Sequence, residues 1–91
     1  VYIMADRYRG TMYVGSTADL AFRIAQHRDG LGSKFCAEYG LIRLVWMEFL
    51  PTIQEVMDQE KRVKRWRRDW KFALVENANP DWHDLYDDLL A

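Results

Sequence analysis

Two stretches near the start of the chain, "VYIMA" and "TMYVG", are apolar or aromatic at nearly every position, and "DRYRG" divides them with charge and a glycine. Short β-prone runs around a polar, Gly-containing break predict a strand, a turn and a second strand. After Gly15 the period changes. Ser16 and Thr17 supply cap hydroxyls, and Leu20 and Ile24 recur four apart until Gly30, so a first helix is predicted over about 18–28. "GLGSKF" reads as a loop and "CAEYG" as a short helical turn ending at Gly40. "LIRLVWMEFL" is apolar at most positions, the pattern of a strand covered on both faces, and is expected at the centre of a sheet.

Pro51 stops that strand. "TIQE" is a capping box in which Thr52 can bond the amide of Glu55, and the apolar positions then step through Val56, Val63, Trp66, Trp70, Ala73 and Leu74. Two helices are expected over this stretch, with a break near Trp66 to Arg68. "NANPDW" turns the chain, and the acidic stretch after it is expected to form a short last helix.

A chain of 91 residues has room for one domain, residues 1–91, and one core. Its hydrophobic share of 49% with four Trp, five Tyr and four Phe fills that core, and two Pro and five Gly exclude a low-complexity chain. The apolar run "LVWMEFL" is broken by Glu48 and falls well short of the roughly 20 residues of a membrane span. No n-region or h-region of a signal peptide opens the chain. Cys36 alone forms no internal disulfide, and with two separated His it falls short of a structural zinc set. The expected setting is reducing and cytoplasmic, without a membrane.

The net charge of -1 conceals an uneven distribution. Residues 76–91 carry -5 with no Lys or Arg, which leaves the preceding body at +4. Between Lys61 and Lys71, "KRVKRWRRDWK" packs seven basic residues, a density suited to a phosphate backbone and equally to a solvated helix face.

Some polar residues break the pattern. Glu60 follows Val56 by four and precedes Val63 by three, which puts a carboxylate beside the apolar stripe, where it needs a partner. Two partners fit: an internal ion pair with Arg23 or Lys64, or a divalent cation. Arg23 and His27 share one face of the first helix beside Leu20 and Ile24. Tyr2 and Tyr13 occupy similar positions in adjacent strands, where their rings can meet on one face. Tyrosine hydroxyls, an arginine and a cation-holding carboxylate are the parts that phosphodiester hydrolysis requires.

These residues resemble the GIY-YIG endonuclease superfamily, and within it the small stand-alone bacterial proteins. "VYI" resembles the first motif and "MYVG" the second, and "STADLAFRIAQH" is similar to the helix that follows. "GSKFCAEYG", "LVWMEF", "EKRVKRWRRDWK" and "NPDW" are similar to later blocks, so the likeness covers nearly the whole chain. "VY" at Val1 and Tyr2 stands where the first motif has "IY", a departure that touches strand geometry more than chemistry.

The resemblance implies an α/β (α+β) fold, a small three-stranded antiparallel sheet flanked by helices. It also implies divalent-metal-dependent hydrolysis of DNA, with one Mg²⁺ or Mn²⁺. By the same resemblance Tyr13 is the general base or the group that orients water, and Tyr2 positions the nucleophile. Arg23 stabilises the phosphate, Glu60 binds the metal, and His27 supports proton transfer or a phosphate contact. A free tyrosine has a pKa near 10, so a metal-bound water is the better proton source. Gly15, Thr17 and Asn79 are expected to support the site. Lys61, Lys64, Arg65, Arg67, Arg68 and Lys71 are expected to hold the nucleic acid, with Arg28, Lys34 and Arg43 as further contacts. The alternatives are a nucleic-acid-binding module of the same fold with little cleavage activity, and a protein-interaction domain. In the second, Trp82 and Tyr86 dock a protein partner or a second copy in a homodimer.

Overall fold

In a computed structural model, which describes residues 1–90 and leaves Ala91 outside the described residues, the chain opens with the expected hairpin. Strand β1 (Tyr2–Ala5) pairs antiparallel with β2 (Met12–Gly15), placing Tyr2 opposite Gly15 and Met4 opposite Tyr13. The Asp6 carboxylate accepts from the Thr11 amide at 2.8 Å and ties the turn.

Strand β3 (Arg43–Met47) pairs with the other side of β1, giving the order β2-β1-β3. The central strand is therefore β1, with all four residues buried, and the expectation of a central β3 is corrected. The apolar run reflected cover, not rank in the sheet. Leu44, Val45 and Trp46 are buried because the C-terminal segment lies along the outer side of β3. There Asn79 Nδ2 donates to the Val45 carbonyl at 3.0 Å, the Leu44 amide donates to Asp84 at 3.1 Å, and the Leu85 amide donates to the Leu44 carbonyl at 2.7 Å.

Helix α1 (Leu20–Arg28) starts later than the hydroxyls of Ser16 and Thr17 predict. Its cap is Asp19, whose carboxylate accepts from the Phe22 amide at 3.2 Å, while Thr17 Oγ1 accepts from the Asp19 amide at 3.1 Å. Helix α2 (Lys34–Tyr39) runs from a Ser33 cap to Gly40, which takes the left-handed φ of 66° that glycine tolerates. Thr52 caps α3 (Ile53–Arg65), accepting from the Glu55 amide at 3.1 Å. Trp66 and Arg67 are extended, and α4 (Arg68–Ala78) follows, so the predicted break stands where expected. Helix α5 (Tyr86–Leu90) closes the described chain, in which no helix is long and apolar enough to cross a membrane.

Strand alternation splits the core in two. Ile3, Ala5 and Val45 pack with Val63, Val75 and Trp82 beneath α3 and α4, whereas Tyr2, Met4 and Leu44 pack with Ile24 and Cys36 beneath α1 and α2. The result is a three-stranded antiparallel sheet flanked by helices.

Glu76 joins the hairpin to the C-terminal segment. It accepts two bonds from Arg9, at 2.7 and 2.6 Å, and one from Trp82 Nε1 at 2.8 Å. Arg9 first, then Trp82, hold its carboxyl down from an ordinary value of 4.5 to about 2. A depressed folded pKa contributes stability that is present above the unfolded value and lost as pH falls through the folded one. Urea midpoints at stepped pH should show Glu76→Gln less stable than the parent at pH 7, with the gap closing between pH 4.5 and about 2. A gap that persists unchanged at pH 2 would contradict this assignment.

Candidate active site

Because β1 is central, it carries Tyr2 into the middle of the face beneath α1, where the residue is 2% exposed. Tyr13 lies diagonal to it, not opposite, and the two ring centroids are 6.3 Å apart. The His27 ring, from the last turn of α1, sits 5.6 Å from each of them, and Tyr2 Oη and His27 Nε2 share a hydrogen bond of 2.7 Å. Gly15 makes this triangle possible. A Cβ there would stand 2.7 Å from Tyr2 Oη and 2.8 Å from Tyr13 Cε2, so any side chain drives the tyrosines apart.

Burial first, then the neighbouring Tyr13, push the Tyr2 hydroxyl well above the ordinary tyrosine range, and Arg23 only partly opposes them. Tyr2 therefore keeps its proton and serves as a donor or a polar anchor, not as a base. Burial, then Arg23, lower the pKa of His27 and favour the neutral ring. His27 Nδ1 is buried without a partner among the described residues and faces Gly32, where a Cβ would come within 2.6 Å. An orphaned buried N–H is rarer than an under-satisfied acceptor, so we assign the ring proton to Nε2. Nε2–H then donates to Tyr2 Oη and leaves the Tyr2 proton free to point elsewhere.

Arg23 sits one helical turn before His27, is half-buried and has no ion-pair partner among the described residues. Its charge acts on both Tyr2 and His27.

Glu60, on α3, takes up one of its two expected partners, Lys64. Its Oε2 lies 2.7 Å from Lys64 Nζ and its Oε1 accepts from the Ser16 hydroxyl. Burial raises its pKa, but Lys64 and Ser16 outweigh that and keep the carboxyl below its ordinary value. Ser16 directly follows Gly15, which packs against Tyr2 and Tyr13, so the Ser16 bond ties the carboxylate to the segment beside the tyrosines. No group of three or more His, Cys, Asp or Glu that could hold a metal occurs among the described residues. One ionised carboxylate with lone pairs to spare, beside a hydroxyl, fits Mg²⁺ or Mn²⁺ shared with a phosphate and does not fit a closed protein cage.

The basic residues differ in how far the chain itself engages them. Lys61, Arg65 and Lys34 are exposed, but Lys64 is held by Glu60, and Arg67 lies 3.7 Å from Asp69 and over the Trp70 ring. Arg68 donates to the carbonyls of Arg9 at 3.1 Å and Gly10 at 2.9 Å, and Lys71 is half-buried, its pKa lowered by burial and then by Arg68. Arg43 donates to the Trp82 carbonyl at 3.4 Å, and Arg28 pairs with Asp84 while lying 4.7 Å over the Tyr86 ring. Both Asn79 amide groups are engaged in holding β3 and His83, so this side chain latches the fold. Trp82 is fully buried and Tyr86 lies under Arg28, so neither stands out as the docking aromatic that the sequence allows.

Ser16 and Gly32 join the site unannounced by the sequence. Ser16 reads there as a helix cap, and only its position after Gly15 marks it. Gly32 reads as loop.

The chain matches the GIY-YIG catalytic domain over residues 1–73. It is similar to a UPF0213 protein of Bacillus pumilus, 36% identical over 67 residues, which cover 74% of this chain and 68% of that one. A UPF0213 protein of Clostridium perfringens is 31% identical over 79 residues, 87% of this chain and 84% of its own. One of Staphylococcus saprophyticus is 30% identical over 69 residues, 76% and 84% of the two chains. No solved structure matches the chain. The matched region takes in Tyr2, Tyr13, Ser16, Arg23, His27 and Glu60 alike, and this chain belongs to the GIY-YIG catalytic domain family, whose function is of nuclease type.

Proposed function

We propose that the protein is a divalent-metal-dependent endonuclease that hydrolyses phosphodiester bonds of DNA. The observation that carries this reading is the meeting of Tyr2, Tyr13 and His27 on one face of the sheet, beside an arginine that no carboxylate of the described residues neutralises.

The roles follow from the electrostatics. Arg23 presents a permanent charge and a planar fork to the non-bridging oxygens of the scissile phosphate, where negative charge grows. Tyr2 stays protonated and donates its O–H toward the reacting centre, aimed by the bond that Nε2 of His27 makes to its oxygen. Tyr13 orients the attacking water. Glu60 would hold Mg²⁺ or Mn²⁺, and such an ion, when bound, supplies charge neutralisation and makes a coordinated water more acidic. Lys61, Arg65 and Lys34 are exposed cations without an ion-pair partner among the described residues and would hold the backbone.

The purified chain is expected to nick plasmid DNA with Mg²⁺ or Mn²⁺, to stop when EDTA removes the metal, and to lose the activity in Glu60→Ala. Cutting by Glu60→Ala at the parental rate would point to a contaminating nuclease and sink the reading. A second reading, a binding module of the same fold with little cleavage activity, is favoured by one observation: Lys64 already neutralises Glu60 within its own helix. Salt-dependent DNA binding without cleavage, across several metals and DNA structures, would select it.

A further inference from the structure

Aromatic side chains continue outward from Tyr13 along α2. Phe35 lies 6.3 Å from Tyr13 between ring centroids with planes 31° apart, and Tyr39, one helical turn on, lies 4.9 Å from Phe35. Phe35 is 40% exposed and Tyr39 52% exposed, so both residues are partly open to solvent beside the site. The ledge is also held still. Ser33 and Gly40 cap α2 at its two ends, and buried Cys36 anchors it to the core.

An exposed apolar row contiguous with a cluster of reactive groups has a cost in water and calls for an occupant. The partner that enters a site built for phosphates carries flat, weakly polar rings on an anionic chain. Lys34, exposed at the start of α2, matches the charge of that chain.

We propose that Phe35 and Tyr39 form a stacking subsite for an unpaired nucleobase, beside Tyr13 and next to the phosphate held at Arg23. The placement rests on the nuclease reading. A paired base keeps its faces inside the duplex stack, so the subsite favours single-stranded, frayed or branched nucleic acid over intact duplex. Every base has a π-face, and the subsite reads strandedness without reading sequence.

The test is binding in EDTA, where no cleavage occurs, with oligonucleotides carrying 2-aminopurine in single-stranded or fully paired form. The single strand should lose probe fluorescence on binding the parent protein. Phe35→Ala and Phe35→Leu should each bind it about 5- to 150-fold more weakly, the range that follows from base–aromatic stacking at 1.4 kcal/mol per decade. Phe35→Trp should restore binding, and duplex affinity should change less than about twofold. Since Phe35→Leu keeps apolar bulk and removes the ring, parental binding by that variant would overturn the proposal, as would equal losses on single strand and duplex. The arms separate the two readings. Cleavage on adding Mn²⁺, with Phe35→Ala binding like the parent, would overturn the subsite and leave the nuclease. Ring-dependent quenching with no cleavage in any metal would uphold the subsite and remove the nuclease.

Discussion

Arg23→Ala is expected to slow DNA cleavage by about 10²- to 10³-fold, the usual loss when one contact to developing transition-state charge is removed. The size of the effect follows from what the guanidinium lacks. Among the described residues it has no ion-pair partner, so truncation breaks no salt bridge and strands no buried carboxylate. Stability should therefore hold while activity falls. Arg23→Lys should recover little, because an ammonium cannot reproduce the two-pronged contact that a planar fork makes with phosphate. Single-turnover rates with Mn²⁺, read beside urea midpoints, check both halves. A midpoint that drops in step with the rate would mean that Arg23 holds α1 in place and does not act on phosphate. A further readout comes from His27: its pKa is lowered by burial and then by Arg23, so Arg23→Ala should raise it in an NMR titration.

Trp82→Ala is expected to cost about 3–5 kcal/mol, against a typical total of about 5–15 for a small domain. Trp82 is completely buried, meets Phe72 edge-on with centroids 5.5 Å apart, and donates Nε1 to Glu76 at 2.8 Å. Its backbone takes a left-handed φ of 56°, a conformation that a bulky residue holds only where its surroundings fix it. Removing the ring leaves a void between α4 and β3 and takes a donor from Glu76, so this loss and that of Glu76→Gln should not add. Urea unfolding of Trp82→Ala and Trp82→Phe measures it, with the phenylalanine variant recovering part of the volume. A loss below about 1 kcal/mol for the alanine variant would contradict the packing described. Trp82 lies beyond the region that matches the family, yet it completes the core on which the matched region rests.

Local punctuation made much of the fold legible. Gly10 and Gly15 marked the hairpin, and Pro51 and Thr52 marked the start of α3, whereas the apolar spacing runs at helical period from Val63 through Leu74 and does not itself mark the break before α4. The position of β3 escaped, because hydrophobicity reports how thoroughly a strand is covered and the cover here comes from residues 79–85. Three capping residues stand close together at 16, 17 and 19, and composition does not say which one caps. Side alternation alone brought Tyr2 and Tyr13 together, and helical spacing put Arg23 and His27 on one face. The fate of the basic residues was hidden for a different reason. Arg28, Arg43 and Arg68 are engaged by Asp84, Trp82 and Gly10, groups 56, 39 and 58 positions away. Only the assembled chain brings such partners near.

The C-terminal segment has a consequence for molecules as neighbours. Sheets grow from one copy to the next through unpaired amides and carbonyls along an outer strand, and on β3 the groups of Leu44 and Val45 are already bonded within the chain. Strand addition is left with β2 on the opposite side, which is only four residues long and a poor template for stacking copies. The residues that finish the core also act as a guard against aggregation.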